Sequence, residues 1–118
     1  MSLEDVIKEQ INKKGKARIW FNYVLEPFEK GFTKGMVIGS PYSSLPIGSV
    51  DTMFSYDKKT RKMKNLCKIL RVGYVDFFND VNLEKQLLNA FEEKKQKAKT
   101  FRRYKELKSL EKKVLKNE

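Results

Sequence analysis

Histidine is absent from this chain of 118 residues, and cysteine occurs once, at Cys67. A tetrahedral zinc shell of nitrogen and sulfur ligands cannot be assembled from that inventory. Nor can a histidine-based triad or a Cys–His dyad, and a lone cysteine closes no internal disulfide. Cys67 lies in an apolar, strand-like segment, where a small buried hydrophobe is expected. Four carboxylates, Asp51, Asp57, Asp76 and Asp80, could in principle hold a divalent metal for phosphodiester cleavage. They sit on different segments without a recognisable motif, and Asp80 is better used as a helix cap. A non-catalytic protein without metal or cofactor is expected. Long apolar runs are also missing. Nothing approaches the roughly 20 residues that cross a bilayer, and no signal-peptide pattern opens the chain, so a cytoplasmic protein without membrane contact is expected.

Negative charge is the other scarcity. Against 26 Lys and Arg there are 15 Asp and Glu, a formal net charge of +11. An excess of this size favours a polyanionic partner, nucleic acid first. Hydrophobic residues make up 40% of the chain, enough for one modest core, so a single folded domain with an extension is expected.

Ser2 to Lys14 reads as a short amphipathic helix. Ser2 caps it, Asp5 stands three residues on in a variant of the capping box, and Gly15 stops it. Leu3, Val6, Ile7 and Ile11 supply the apolar spacing. Ala17 to Leu25 then alternates as a strand, with Ala17, Ile19, Phe21, Tyr23 and Leu25 on a core face. The opposite face carries Arg18, Trp20, Asn22 and Val24. An arginine beside the chain's only tryptophan is the pairing that stacks on and neutralises a single strand, so Arg18 and Trp20 are candidate binding residues.

Pro27 ends that strand. Phe32 to Ser40 reads as a second extended segment bent at Gly35 and Gly39, with Lys34 a candidate phosphate contact. Pro41 to Gly48 is a loop in which Tyr42 and Leu45 are expected to pack down. Val50 to Tyr56 and Leu66 to Val75 are strand-like and form a hairpin. Its tip, Lys58-Lys59-Thr60-Arg61-Lys62-Met63-Lys64, holds five cations in seven residues. Like charges so close repel unless phosphate or solvent screens them, so Lys58, Lys59, Arg61, Lys62 and Lys64 are candidate phosphate contacts, with Tyr56 a further stacking surface. The second strand of the hairpin is apolar on both faces apart from Lys68 and Arg71, which suggests a central strand, bent at Gly73. Tyr74, Phe77 and Phe78 are expected to seat the following helix as core.

From Asp80, the expected N-cap, Leu83, Leu87, Leu88 and Phe91 form a helical stripe. The stripe lapses until Phe101, then resumes through Tyr104, Leu107, Leu110 and Val114, as one long helix or two hinged near Lys99. Residues 92–118 carry 11 cations and 5 anions, and Arg102 and Arg103 are candidate phosphate contacts there. A weak stripe in so charged a background suggests packing against a second copy, or folding on a partner.

Leu25-Glu26-Pro27-Phe28-Glu29-Lys30-Gly31-Phe32, followed by Ser43-Ser44-Leu45-Pro46, resembles a motif near the start of the RNA polymerase alpha subunit. In that family the intervening segment is a dimer-forming helix. Here it contains Gly35, Gly39 and Pro41, poor residues for a helix, and no residue role is carried over.

Taken together, an α+β fold is expected: a small curved sheet or a barrel of the oligonucleotide-binding type, with four to five strands, a short N-terminal helix and a long or two-part C-terminal helix. Residues 1–91 would form the compact nucleic-acid-binding domain, and 92–118 a basic helical extension. The function expected is sequence-tolerant binding of single-stranded nucleic acid, DNA favoured over RNA, as in a bacterial or phage replication protein. The alternative is an RNA-, ribosome- or polymerase-associated factor that uses the basic C-terminal helix, which could also form a homodimer.

Overall fold

In a computed structural model, which describes residues 2–42 and 45–116 and the side chains as far as Phe101, the chain is an α+β domain of two helices and four strands. Helix α1 (Leu3–Lys14) is followed by β1 (Ala17–Pro27), β2 (Val37–Ser40), β3 (Val50–Asp57), β4 (Lys62–Phe77) and helix α2 (Leu83–Lys116). The strands are antiparallel in the order β2-β1-β4-β3. The sheet is open: β2 and β3 are its edges, and the barrel alternative is not realised.

The expected capping box closes α1. Ser2 Oγ accepts from the Asp5 amide at 3.2 Å, and Asp5 Oδ2 accepts from the Ser2 amide at 3.2 Å. Gly15, at φ 79°, donates its amide to the Ile11 carbonyl at 2.8 Å. Charged side chains at both ends suit the helix dipole.

The extended segment expected over Phe32–Ser40 shrinks to Val37–Ser40, because Gly31 and Gly35 both take positive φ and turn the chain. Neither a bent strand nor the helix of the polymerase motif forms there. Gly39 serves close packing. A β-carbon on it would lie 2.9 Å from Leu3 Cδ2 and 3.3 Å from Ile19 Cγ2, so the absence of a side chain lets α1 settle on the sheet.

β4 is the central strand. Its C-terminal part, Cys67 to Phe77, pairs with β1, while its N-terminal part, Lys62 to Leu70, pairs with β3. Beyond Cys67 the sheet is therefore two strands wide, and the β3–β4 hairpin projects as an arm. Beyond Leu70, in the other direction, β1 is the only strand beside β4 among the described residues, although the Gly48–Ser49 backbone still bonds Arg71.

One face of the sheet carries the helices. Ile7 of α1 and Leu83, Leu87 and Ala90 of α2 pack on Ala17, Ile19, Phe21 and Phe77, and Phe91 meets Phe21 edge-on at 5.1 Å. Ala98 and Phe101 continue the contact over Tyr23, Leu70 and Val72. Side chains of the size of Phe21, fully buried, each contribute roughly 1.5–3 kcal/mol. α2 is one unbroken helix of 34 residues, about 51 Å at 1.5 Å per residue, with no hinge at Lys99. Its buried positions, Leu83, Leu87, Ala90, Lys94 and Ala98, keep a spacing of three to four. The stripe thus does not lapse after Phe91, but passes through a lysine. The other face holds a smaller cluster, Val24, Cys67 and Ile69, covered by Phe32, Leu45 and neighbouring apolar side chains.

Several expectations are corrected. Tyr42 is exposed rather than packed, and Phe78 and Leu88 are each 64% exposed. Of the Tyr74–Phe78 aromatics only Phe77 belongs to the core. Asp80 does not cap α2, which starts three residues later. The turn before it is held by Asn79, whose Oδ1 accepts from the Val81 amide at 3.2 Å, and by Gln86, which donates to the Val81 carbonyl.

Candidate nucleic-acid interface

Most of the candidate residues fall in two places. Arg18 and Trp20 sit on β1 near its start, opposite Asp76 and Tyr74 of β4. The cationic residues sit at the other end of β4, on the arm. Lys62 and Tyr74 are twelve residue steps apart along the strand, about 40 Å at roughly 3.3 Å per residue. The basic hairpin does not lie beside Trp20.

Around Trp20 the side chains interlock. The Arg18 guanidinium bonds both Asp76 oxygens, at 2.8 and 3.1 Å, and its Cζ lies 4.0 Å from the centre of the Tyr74 ring. Tyr74 meets Trp20 at 4.9 Å with planes tilted by 54°. Arg71 lies against Trp20 with its Cζ 5.0 Å from the ring centre, and its Nε donates to Asn22 Oδ1 at 2.7 Å. These groups share a face because of a bulge. β4 skips a partner between Gly73 and Arg71, so Arg71 and Tyr74, three residues apart, point the same way. Simple alternation would place them on opposite faces.

Electrostatically the cluster is largely self-contained. Hydrogen bonding to Arg18 holds the Asp76 carboxyl below its ordinary value, and the same bonds raise the Arg18 guanidinium. Arg71 is buried, and desolvation pulls it down from its ordinary value. Trp20 is half-buried, with a cation against its ring, so a base would have to displace Arg71 or Tyr74 to stack on it fully.

The arm is different. Phe54 and Tyr56 alternate onto one face of β3, and Met63 pairs across from Tyr56. Phe54 and Tyr56 are 55% and 56% exposed, and Met63 is exposed too. The tip is tied by Asp57, whose Oδ1 accepts from the Lys59 amide at 2.9 Å, and it closes through Arg61 at φ 56°. A left-handed arginine is an unfavourable choice where glycine or asparagine is at ease. Lys58, Lys59, Arg61 and Lys62 are exposed and form no ion pair among the described residues, whereas Lys64 pairs with Glu29 at 3.3 Å. That contact and the bond from the Phe28 amide to the Leu66 carbonyl at 2.9 Å anchor the arm's base.

Lys34 is exposed in the turn between β1 and β2, on the β2 side of the sheet, away from β3. Arg102 and Arg103 lie within α2, where side chains are outside the described residues. Phe54 and Met63 are the residues that sequence reasoning missed. Their signal was available: Phe54 shares the strand parity of Tyr56, and an apolar residue stands between the lysines of the basic run. Cys67 is buried as expected, and burial pushes its thiol up. No three Asp, Glu or Cys side chains converge as a metal site among the described residues, and no helix there is long and apolar enough to cross a membrane. Compared with known proteins, the chain matches no family model, no curated protein and no solved structure.

Proposed function

We propose that the protein binds single-stranded nucleic acid through the β3–β4 arm, with Phe54 and Tyr56 stacking on unpaired bases and the tip cations neutralising phosphates. The observation that carries this reading is the coincidence, on one projecting hairpin, of two exposed aromatic rings and four cations without ion pairs among the described residues. Large rings left in water cost solvation free energy, and clustered cations repel one another. One ligand relieves both costs: a chain with flat apolar bases and a charged backbone. A duplex would satisfy only the charges, since its base faces are already stacked. Contacts of this kind distinguish bases weakly, so binding is sequence-tolerant. Arg61 supports the same reading, because its left-handed backbone keeps a cation where a turn prefers glycine.

The Trp20 cluster takes a structural role in this scheme: it covers the buried Arg71 and joins β1 to β4. Titration of the full chain with labelled oligothymidine tests the assignment. Stacking is worth about 1–3 kcal/mol per base, so Phe54→Ala and Tyr56→Ala should each weaken binding by about tenfold, while Trp20→Ala has little effect. If the double variant binds as well as the parent and removal of residues 102–118 abolishes binding, the basic helix is the binding element and the arm is not.

A further inference from the structure

Lys94 occupies a core position. It falls between Ala90 and Ala98 in the buried stripe of α2 and is 5% exposed, where the spacing calls for an apolar side chain. Its Nζ reaches over Gly73 of β4. A β-carbon on Gly73 would lie 3.6 Å from Lys94 Nζ and 4.0 Å from Lys97 Nζ, so the two ammoniums are no farther apart than those distances combined. Their described counter-charge is slight: Glu93 Oε1, 3.6 Å from Lys94 Nζ, on a side chain that is 69% exposed. Lys94 is nearly buried and Lys97 is exposed, so two cations are aimed at one point where the edge of α2 meets solvent, and like charges this close repel. Packing alone does not ask for this, since leucine or methionine would fill the position without the repulsion.

Gly73 brings a buried backbone with no side chain as the floor, and Lys97 stands exposed at the margin. Past Arg71, which the Gly48–Ser49 backbone bonds, no strand among the described residues flanks β4 on the β3 side. We propose that Lys94 and Lys97, over Gly73, form a phosphate-binding site between α2 and β4, separate from the arm. The ligand chemistry is a phosphate group, accepting charge-assisted hydrogen bonds from both ammoniums. It can come from a free phosphate or from the backbone of a nucleic acid that also engages the arm. The site lies on the helix side of β4, one residue from Tyr74, and does not depend on the arm's being a binding element.

The test uses amide NMR on the full chain, following Gly73 during titration with inorganic phosphate at low salt, with chloride as control. A saturable shift is expected with phosphate and not with chloride. Lys94→Met keeps the aliphatic stem and removes the charge. It should weaken phosphate about tenfold or more, the worth of one charged hydrogen bond, and Lys97→Gln should weaken it as well. A second arm of the experiment titrates oligothymidine into a chain with Lys58, Lys59, Arg61 and Lys62 replaced by Gln. A Gly73 shift there identifies nucleic-acid phosphate as the source; a shift with inorganic phosphate alone identifies a free phosphate. Failure of the arm reading leaves the inorganic phosphate shift intact, so the two proposals fail separately. A phosphate response that does not saturate, that chloride reproduces, or that persists in Lys94→Met overturns the site.

Discussion

Replacing Lys58, Lys59, Arg61 and Lys62 together by Gln isolates the electrostatic half of the binding proposal. These four side chains are exposed and lack ion pairs among the described residues, whereas Lys64 is shared with Glu29 and is left in place. Each phosphate neutralised on a single strand releases counterions, and log K falls against log salt with a slope of about −0.7 per contact. Four contacts give a slope of about −2.8, so the arm alone accounts for a fall of about fiftyfold between about 50 and 200 mM salt. Cations elsewhere in the chain contribute equally to parent and variant and cancel in the difference. The assay is fluorescence anisotropy of labelled oligothymidine at four or more salt concentrations. A urea titration serves as the control for folding. The substituted side chains touch no core, so the variant's urea midpoint should hold or rise slightly as repulsion is relieved. The parent slope should be steeper than the variant slope by about 2.8. A difference below about 0.7, less than one phosphate, would refute the claim that the arm follows the backbone.

Arg61→Gly separates stability from binding at a single residue. Relief of the left-handed backbone at φ 56° should stabilise the fold by about 1 kcal/mol in urea titration, while loss of one cation weakens oligonucleotide binding at low salt. A variant that is neither more stable nor weaker in binding would contradict both halves. Asp76 predicts a pH dependence. Hydrogen bonding from Arg18 depresses its pKa below 3.8, so the stability it contributes is fully present above 3.8 and is lost as pH falls through the folded-state value. The stability gap between parent and Asp76→Asn should therefore be constant at neutral pH and close in acid; a gap that widens in acid would show that the pair does not hold the carboxylate.

Local order was readable in the sequence wherever neighbouring residues supply it. The α1 capping box involves Ser2 and Asp5, three residues apart, and the stop at Gly15 needs a glycine's backbone freedom, so a short window contains both. The hairpin was readable in part for a similar reason: alternation on either side of a charged connection pointed to two paired strands, expected as Val50–Tyr56 and Leu66–Val75. The second strand instead begins at Lys62, inside the expected tip, and pairs Lys62–Leu70 with Val50–Asp57. The arm's cations and Tyr56 were readable as well, because a projecting tip exposes whatever the sequence places there.

What required tertiary structure was anything set by long-range register. Arg18 and Trp20 looked available on a strand face, yet Asp76, Tyr74 and Arg71, some fifty residues distant, claim them, and a single bulge in β4 brings those partners to one face. The hairpin charges and Trp20 belong to the same sheet but to opposite ends of its longest strand, since β1 pairs with one part of β4 and β3 with another. Lys94 read as part of a charged interruption, but the helix continues through it and places it over Gly73. Thus the sequence by itself determined the helices, the hairpin and the excess of positive charge, because propensity, alternation and composition act over a few residues. Which charges stand unpaired was decided by strand register, because a side chain's partner across a sheet depends on how distant segments align.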